Sequence, residues 1–139
     1  FDDLLSGNGK AFSELLGGYL RDLVSVYDTA NKESFYHGFV LGMTALFVSD
    51  YIIESNRESG YGRFDLAIIP KDVSKAGVIM EFKVASREAD MAAKAKEALQ
   101  QIEEREYVTE FRQRGIQRVW KYGIAFCGKK ILAFQGPMC

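Results

Sequence analysis

Residues 77 to 84, Gly-Val-Ile-Met-Glu-Phe-Lys-Val, form an apolar run that carries two opposite charges at alternate positions. Its length and β-branched content make it a strand. Period-two alternation sets Val78 and Met80 on one face and Ile79, Glu81 and Lys83 on the other. Glu81 and Lys83 are then neighbours about 6.6 Å apart, at ~3.3 Å of rise per residue. Two charges that point the same way as Ile79 call for either an ion pair on a solvated edge or a site.

The neighbouring segments supply the rest of a fold. From Lys10 to Tyr27, Phe12, Leu15, Leu16, Tyr19, Leu20, Leu23 and Val24 recur at helical spacing, with Gly17-Gly18 weakening the middle. A second helix is expected from Asn31, which can cap it with Glu33 in the first turn, through Phe35, Phe39, Val40, Met43, Leu46 and Phe47. Tyr51 to Ile53 reads as a strand, Glu54 to Tyr61 as a hairpin connection, and Arg63 to Ile69 as a second strand stopped by Pro70. After the charged strand, Ser86 to Tyr107 reads as one long helix with Ala92, Ala95, Leu99 and Ile102 inward. Val119 to Cys127 and Ile131 to Phe134 read as strands joined by the Gly128-Lys129-Lys130 turn. The link from the third strand through a helix to the fourth has crossover length. The expectation is one α/β domain over residues 1–139, with a mixed central β-sheet flanked by helices.

Charge and composition exclude more than they assign. With 139 residues, 47% of them apolar, the chain can bury a core. Eighteen basic side chains against nineteen acidic ones leave a formal charge of −1, so a polyanion would have to be held by a local patch. The apolar stretch from Phe35 to Ile53 is interrupted by His37 and Asp50, which rules it out as a membrane span, and no partner membrane is expected. No charged-then-apolar leader opens the chain, so the expected compartment is the cytoplasm. The chain starts at Phe1 without methionine, which fits a processed product or a fragment of a longer protein. Cys127 and Cys139 have no CxxC or Cys/His companions, so neither a disulfide framework nor a zinc site is expected.

Asp65 precedes Glu81 by sixteen residues. If its strand pairs with the charged one through the turn at Pro70 to Ala76, Asp65 reaches the same end of the sheet. Two carboxylates and a lysine suit phosphodiester hydrolysis. The carboxylates are hard oxygen ligands for Mg²⁺ or Mn²⁺, and the lysine can orient or deprotonate a water and stabilise charge on the phosphoryl group.

Here the sequence resembles the PD-(D/E)XK nuclease superfamily, whose strand-borne acid and following E-x-K correspond to Asp65 and Glu81-Phe82-Lys83. More narrowly it is similar to the branch often found C-terminal to AAA-type ATPase-like domains. The residues carrying that likeness are Phe35-Tyr36-His37-Gly38-Phe39, Glu58-Ser59-Gly60 with Gly62-Arg63 and Asp65, Glu81-Phe82-Lys83, Ala98-Leu99-Gln100-Gln101-Ile102 with Tyr107, and Tyr122-Gly123-Ile124-Ala125-Phe126 with Gly128-Lys129. The superfamily's proline is Phe64 here, a position that varies widely among its members. The resemblance implies a restriction-endonuclease-like αβββαβ core and a Mg²⁺- or Mn²⁺-dependent nuclease, with DNA favoured over RNA. It also implies that Asp65 and Glu81 hold the metal, that Lys83 assists the chemistry, and that an ATPase-like domain belongs to the same polypeptide.

Further residues have two readings each. Glu33 is an extra helical metal ligand or a partner of the helix dipole. His37, the only histidine, contacts a phosphate or is hydrogen-bonded inside the structure. Arg63 holds a phosphate oxygen or pairs with Glu58. Gln101 and Tyr107 are placed near the active centre by the resemblance, but six residues separate them, so on a continuous helix they face different ways and Gln101 is the one assigned. Lys94, Lys96, Arg105, Arg112, Arg114 and Arg118 form a basic lip or a solvated helix face. The alternative functions are an inactive nucleic-acid-binding or regulatory module attached to an ATPase, and an interaction domain using its aromatic helices in a dimer. Oligomeric state stays open.

Overall fold

The computed structural model describes residues 10, 13–14, 17–18, 21, 33–44, 49–55, 65–104 and 108–137. Those between 10 and 21 are helical, as the spacing there predicts. The remaining elements are α1 (Glu33–Thr44), β1 (Tyr51–Ser55), β2 (Leu66–Pro70), β3 (Gly77–Val84), a 3₁₀ turn (Glu88–Asp90), α2 (Met91–Glu104), α3 (Val108–Gln113), β4 (Val119–Cys127) and β5 (Lys130–Gln135).

The strands make one sheet in the order β1-β2-β3-β4-β5. β1 with β2, β2 with β3 and β4 with β5 are antiparallel, while β3 and β4 are parallel. The parallel pair is the crossover anticipated from the length of the intervening helix. Pro70 ends β2 inside the ladder, opposite Tyr51, where a missing N–H costs little. The turn into β3 is closed by Asp72, whose Oδ1 accepts from the Ser74 hydroxyl at 2.7 Å and the Ser74 amide at 3.0 Å. Those bonds, the hydroxyl first, hold the Asp72 carboxyl below its usual 3.8.

Each face of the sheet buries its own cluster. On one face Tyr36 and Val40 of α1 pack on Leu66, Ile68, Val78, Met80, Phe82, Tyr122, Ile124 and Phe126. Tyr36 stacks on Phe126 with centroids 4.3 Å apart, and its hydroxyl donates to the Gly128 carbonyl at 2.7 Å. Gly128 has φ +57°, which the β4–β5 turn needs and side chains resist. Burial pushes the Tyr122 phenol above its usual range. On the other face Ile102 and Phe111 pack on Ala67, Ile69, Ile79, Ile116 and Val119, and Met91 and Ala95 on Ala85 and Ala125.

Some boundaries differ from expectation. The long helix does not start at Ser86: Arg87 is extended, the 3₁₀ turn follows, and α2 begins at Met91. Its inward stripe is Met91, Ala95, Ala98 and Ile102, so Ala92 is exposed instead. A neighbour one residue along the helix is rotated by about 100°, enough to leave the stripe. The short helix α3 was not anticipated. It buries Phe111 and packs Val108 partly, and a single i, i+3 pair in six residues is too short a pattern to read as a helix. Arg63 and Phe64, expected in β2, residues 22–27, expected in the first helix, and residues 45–47, expected in the second, lie outside the described residues. Among the described residues no helix is long and apolar enough to cross a membrane.

Candidate active site

The β2–β3 ladder runs from Ile68 opposite Val78 to Leu66 opposite Met80, but β3 continues to Val84 beside β4. The sheet therefore forks at Met80. One step beyond the last pair, Asp65 stands level with Glu81. Its Oδ2 accepts the Phe82 amide at 2.8 Å, taking the place a strand carbonyl would have had. This bond sets the Asp65 carboxylate against the Glu81–Phe82 peptide. Both acids are buried, Asp65 at 8% exposure and Glu81 at 4%. Alternation puts them on one face, since Asp65 is in phase with Ala67, and Glu81 with Ile79.

The helix above completes the arrangement. Gln101 of α2 donates from Nε2 to Glu81 Oε1 at 2.6 Å. Gly123 is the β4 partner of Glu81 in register, and a Cβ there would lie 2.2 Å from the Ala95 carbonyl oxygen and 2.6 Å from the Leu99 nitrogen. The α2 backbone thus rests directly on β4, close enough for a glutamine side chain to reach the carboxylate. Lys83, half-buried, is opposite Ala125, and its ammonium makes no hydrogen bond or ion pair among the described residues.

One part of the site was not anticipated from the sequence. Lys121 of β4 is 1% exposed and its Nζ donates to Glu103 of α2. Gln101 and Glu103 are about 200° apart around the helix, on opposite flanks of its buried stripe. The helix is tethered to β3 by one and to β4 by the other. The signal was available: Lys121 interrupts an apolar strand in phase with Gly123 and Ala125, as Glu81 and Lys83 interrupt β3 in phase with Ile79.

His37 is buried at 7% exposure. Its Nε2 lies 2.8 Å from the Asp65 carbonyl oxygen and 2.9 Å from Ser55 Oγ. A carbonyl only accepts, so Nε2 carries the hydrogen and shares it between the two oxygens. Glu33 opens α1 one turn before His37, though its side chain lies outside the described ones. Arg63 and Tyr107 lie outside the described residues altogether. Of the basic residues, Arg114 pairs with Glu54 at 3.1 Å, Arg118 donates to the Ser74 carbonyl at 2.7 Å, Lys94 pairs with Glu97, and Lys96 lies over Phe134. Arg105 lies outside the described residues.

Two buried carboxylates are the donor set on offer. Among the described residues no three His, Cys, Asp or Glu side chains come together as a metal cluster. Two carboxylates are a hard-oxygen donor set. It suits Mg²⁺ or Mn²⁺. These are hard cations, and Mg²⁺ typically takes one or two carboxylates, several waters and a phosphate oxygen.

Comparison with curated proteins and with solved structures returned no match. The family model of the PD-(D/E)XK nuclease superfamily matches residues 31–135, a span that runs from the start of α1 to the end of β5 and takes in Asp65, Glu81, Lys83 and Gln101, and the chain belongs to that superfamily.

Proposed function

We propose that the protein is a metal-dependent nuclease that hydrolyses phosphodiester bonds, with DNA as the preferred substrate. The observation that carries this reading is the pair of buried carboxylates, Asp65 and Glu81, brought together where β3 outruns β2. Two carboxylates set on one face of a strand pair offer the hard oxygen donors that a divalent cation takes.

In this reading Asp65 and Glu81 hold the ion, with Glu33 as an additional oxygen donor from α1. A bound Mg²⁺ or Mn²⁺ supplies Lewis-acid polarisation of the phosphate and a more acidic water. Gln101 holds Glu81 in one rotamer by its bond to Oε1. Lys83, in phase with Glu81 on β3, either takes the proton of the attacking water or, with that proton passing to solvent, stabilises charge on the phosphoryl oxygens. The water oxygen bonds to phosphorus, the bond from phosphorus to the sugar oxygen breaks, and that oxygen leaves with a proton from solvent. Arg63, two residues before Asp65, is assigned to a non-bridging phosphate oxygen. An ATPase-like domain in the same polypeptide is part of the proposal.

The test is cleavage of plasmid DNA, single-stranded DNA and RNA with Mg²⁺ or Mn²⁺, comparing wild type with Glu81→Gln, Lys83→Met and Lys83→Arg. Loss with Glu81→Gln is expected. Equal cleavage by wild type and that variant would sink the assignment. Arginine keeps the charge but cannot act as a base, so rescue by Lys83→Arg assigns Lys83 to electrostatics.

A further inference from the structure

We propose that His37 is a positioning residue for the Asp65 carboxylate, acting through the Asp65 backbone carbonyl rather than on a substrate phosphate. The proposal rests on Asp65 as a metal ligand for its consequence, although the geometry stands without it.

Asp65 lies one residue outside the β2–β3 ladder, and a bond at each end of the residue holds it there. The carboxylate accepts the Phe82 amide at 2.8 Å, and the carbonyl accepts the His37 Nε2–H at 2.8 Å. His37 is itself locked. It stands on α1 between the buried residues Tyr36 and Val40, shares its N–H with Ser55 Oγ at the end of β1, and sets its ring against Phe82 with centroids 5.7 Å apart. The same histidine therefore touches the carbonyl of Asp65 and the ring of the residue whose amide holds the Asp65 carboxylate. Ser55 and Asp65 flank residues 56–64, so one imidazole joins both sides of that segment to α1. A carboxylate that must meet a metal within a few tenths of an ångström needs a backbone fixed in this way.

The experiment compares His37→Phe, which keeps an aromatic ring against Phe82 but has no donor, with His37→Gln, whose amide nitrogen can take the place of Nε2. In the metal-free chain, amide hydrogen exchange by NMR reads the Phe82 N–H that Asp65 holds, and the Ile79 and Ile124 amides report the core. Mn²⁺ titration calorimetry reads the site. His37→Phe should speed Phe82 exchange about tenfold more than it speeds exchange at Ile79 and Ile124, and should weaken Mn²⁺ binding by about 10–100-fold. His37→Gln should restore both to within about threefold of wild type. If Phe at 37 prevents folding, His37→Met is the donor-free variant. Phe82 exchange that rises only in step with Ile79 and Ile124, or failure of His37→Gln to restore it, overturns the proposal. A wild type that binds no Mn²⁺ while Phe82 exchange responds selectively supports the positioning role and overturns the metal reading of Asp65.

Discussion

From Gly77 to Met80, β3 has β4 along one side and, through Met80, β2 along the other, and its side chains are uniformly apolar and buried. From Glu81 to Val84 the same strand keeps only β4, and it carries a buried acid, a half-buried lysine and an amide bonded to the side chain of Asp65. The first half is held by packing and a two-sided ladder. The second keeps its β4 ladder and the buried Phe82, and adds polar bonds from Asp65, just before β2, and from Gln101 of α2. A sheet that forks in this way gains a protected, partly polar notch without exposing its core, and the residues there answer to geometry rather than to hydrophobic burial.

Substitutions in the two halves should therefore fail differently. Glu81→Gln should lower cleavage by at least about 10²-fold, in the range seen when one preorganised charged group is lost, while leaving urea stability unchanged or slightly raised because a buried charge is removed. Met80→Ala, one residue earlier, should lose about 2–5 kcal/mol of stability in the same urea titration. If Glu81→Gln proves the more destabilising of the two, the contrast between the halves is wrong. Gly123→Ala tests the helix that serves the second half. The new methyl meets α2 backbone rather than a movable side chain, so a stability loss of about 1–3 kcal/mol is expected, together with a loss of cleavage in protein that is still folded.

The tether on the other flank of α2 predicts an asymmetry. Glu103→Ala leaves the 1%-exposed Lys121 without that carboxylate and should cost about 1–3 kcal/mol, whereas Lys121→Met returns a half-exposed Glu103 to water and should cost less. Thermal melts of the two variants and of the double variant check the order. The smallest effect belongs to the turn that feeds the first half. Asp72 has its carboxyl lowered from 3.8 by Ser74, so its contribution is present above pH 3.8 and fades as pH falls through the folded value. The melting difference between wild type and Asp72→Asn should be small at pH 7 and disappear in acid.

Much of this was legible beforehand for identifiable reasons. The boundaries of β3 and β4 follow from unbroken apolar β-branched runs, and the shared face of Glu81 and Lys83 follows from a period of two. The α/β class and the mixed sheet followed from element order and crossover length, and the structure has both. The 3₁₀ turn before α2 was not legible, because Ser86 to Asp90 is helix-compatible in composition and the extended Arg87 leaves no local mark. The partners of His37 were equally hidden, since they are a carbonyl and a hydroxyl distant along the chain and backbone groups leave no mark on sequence.

The sequence by itself determined which residue types stand at which alternation phase. That was enough for the strands, for the E-x-K face and for the superfamily it resembles, because periodicity and motif spacing are local properties. The tertiary structure decided what those residues meet: that β2 stops one residue short of Asp65, that Gly123 lets α2 settle onto β4 and bring Gln101 to Glu81, and that His37 holds Asp65 by its carbonyl. Such contacts depend on register and on the close approach of segments 20 to 30 residues apart, distances over which no local pattern in the chain records who will be neighbours.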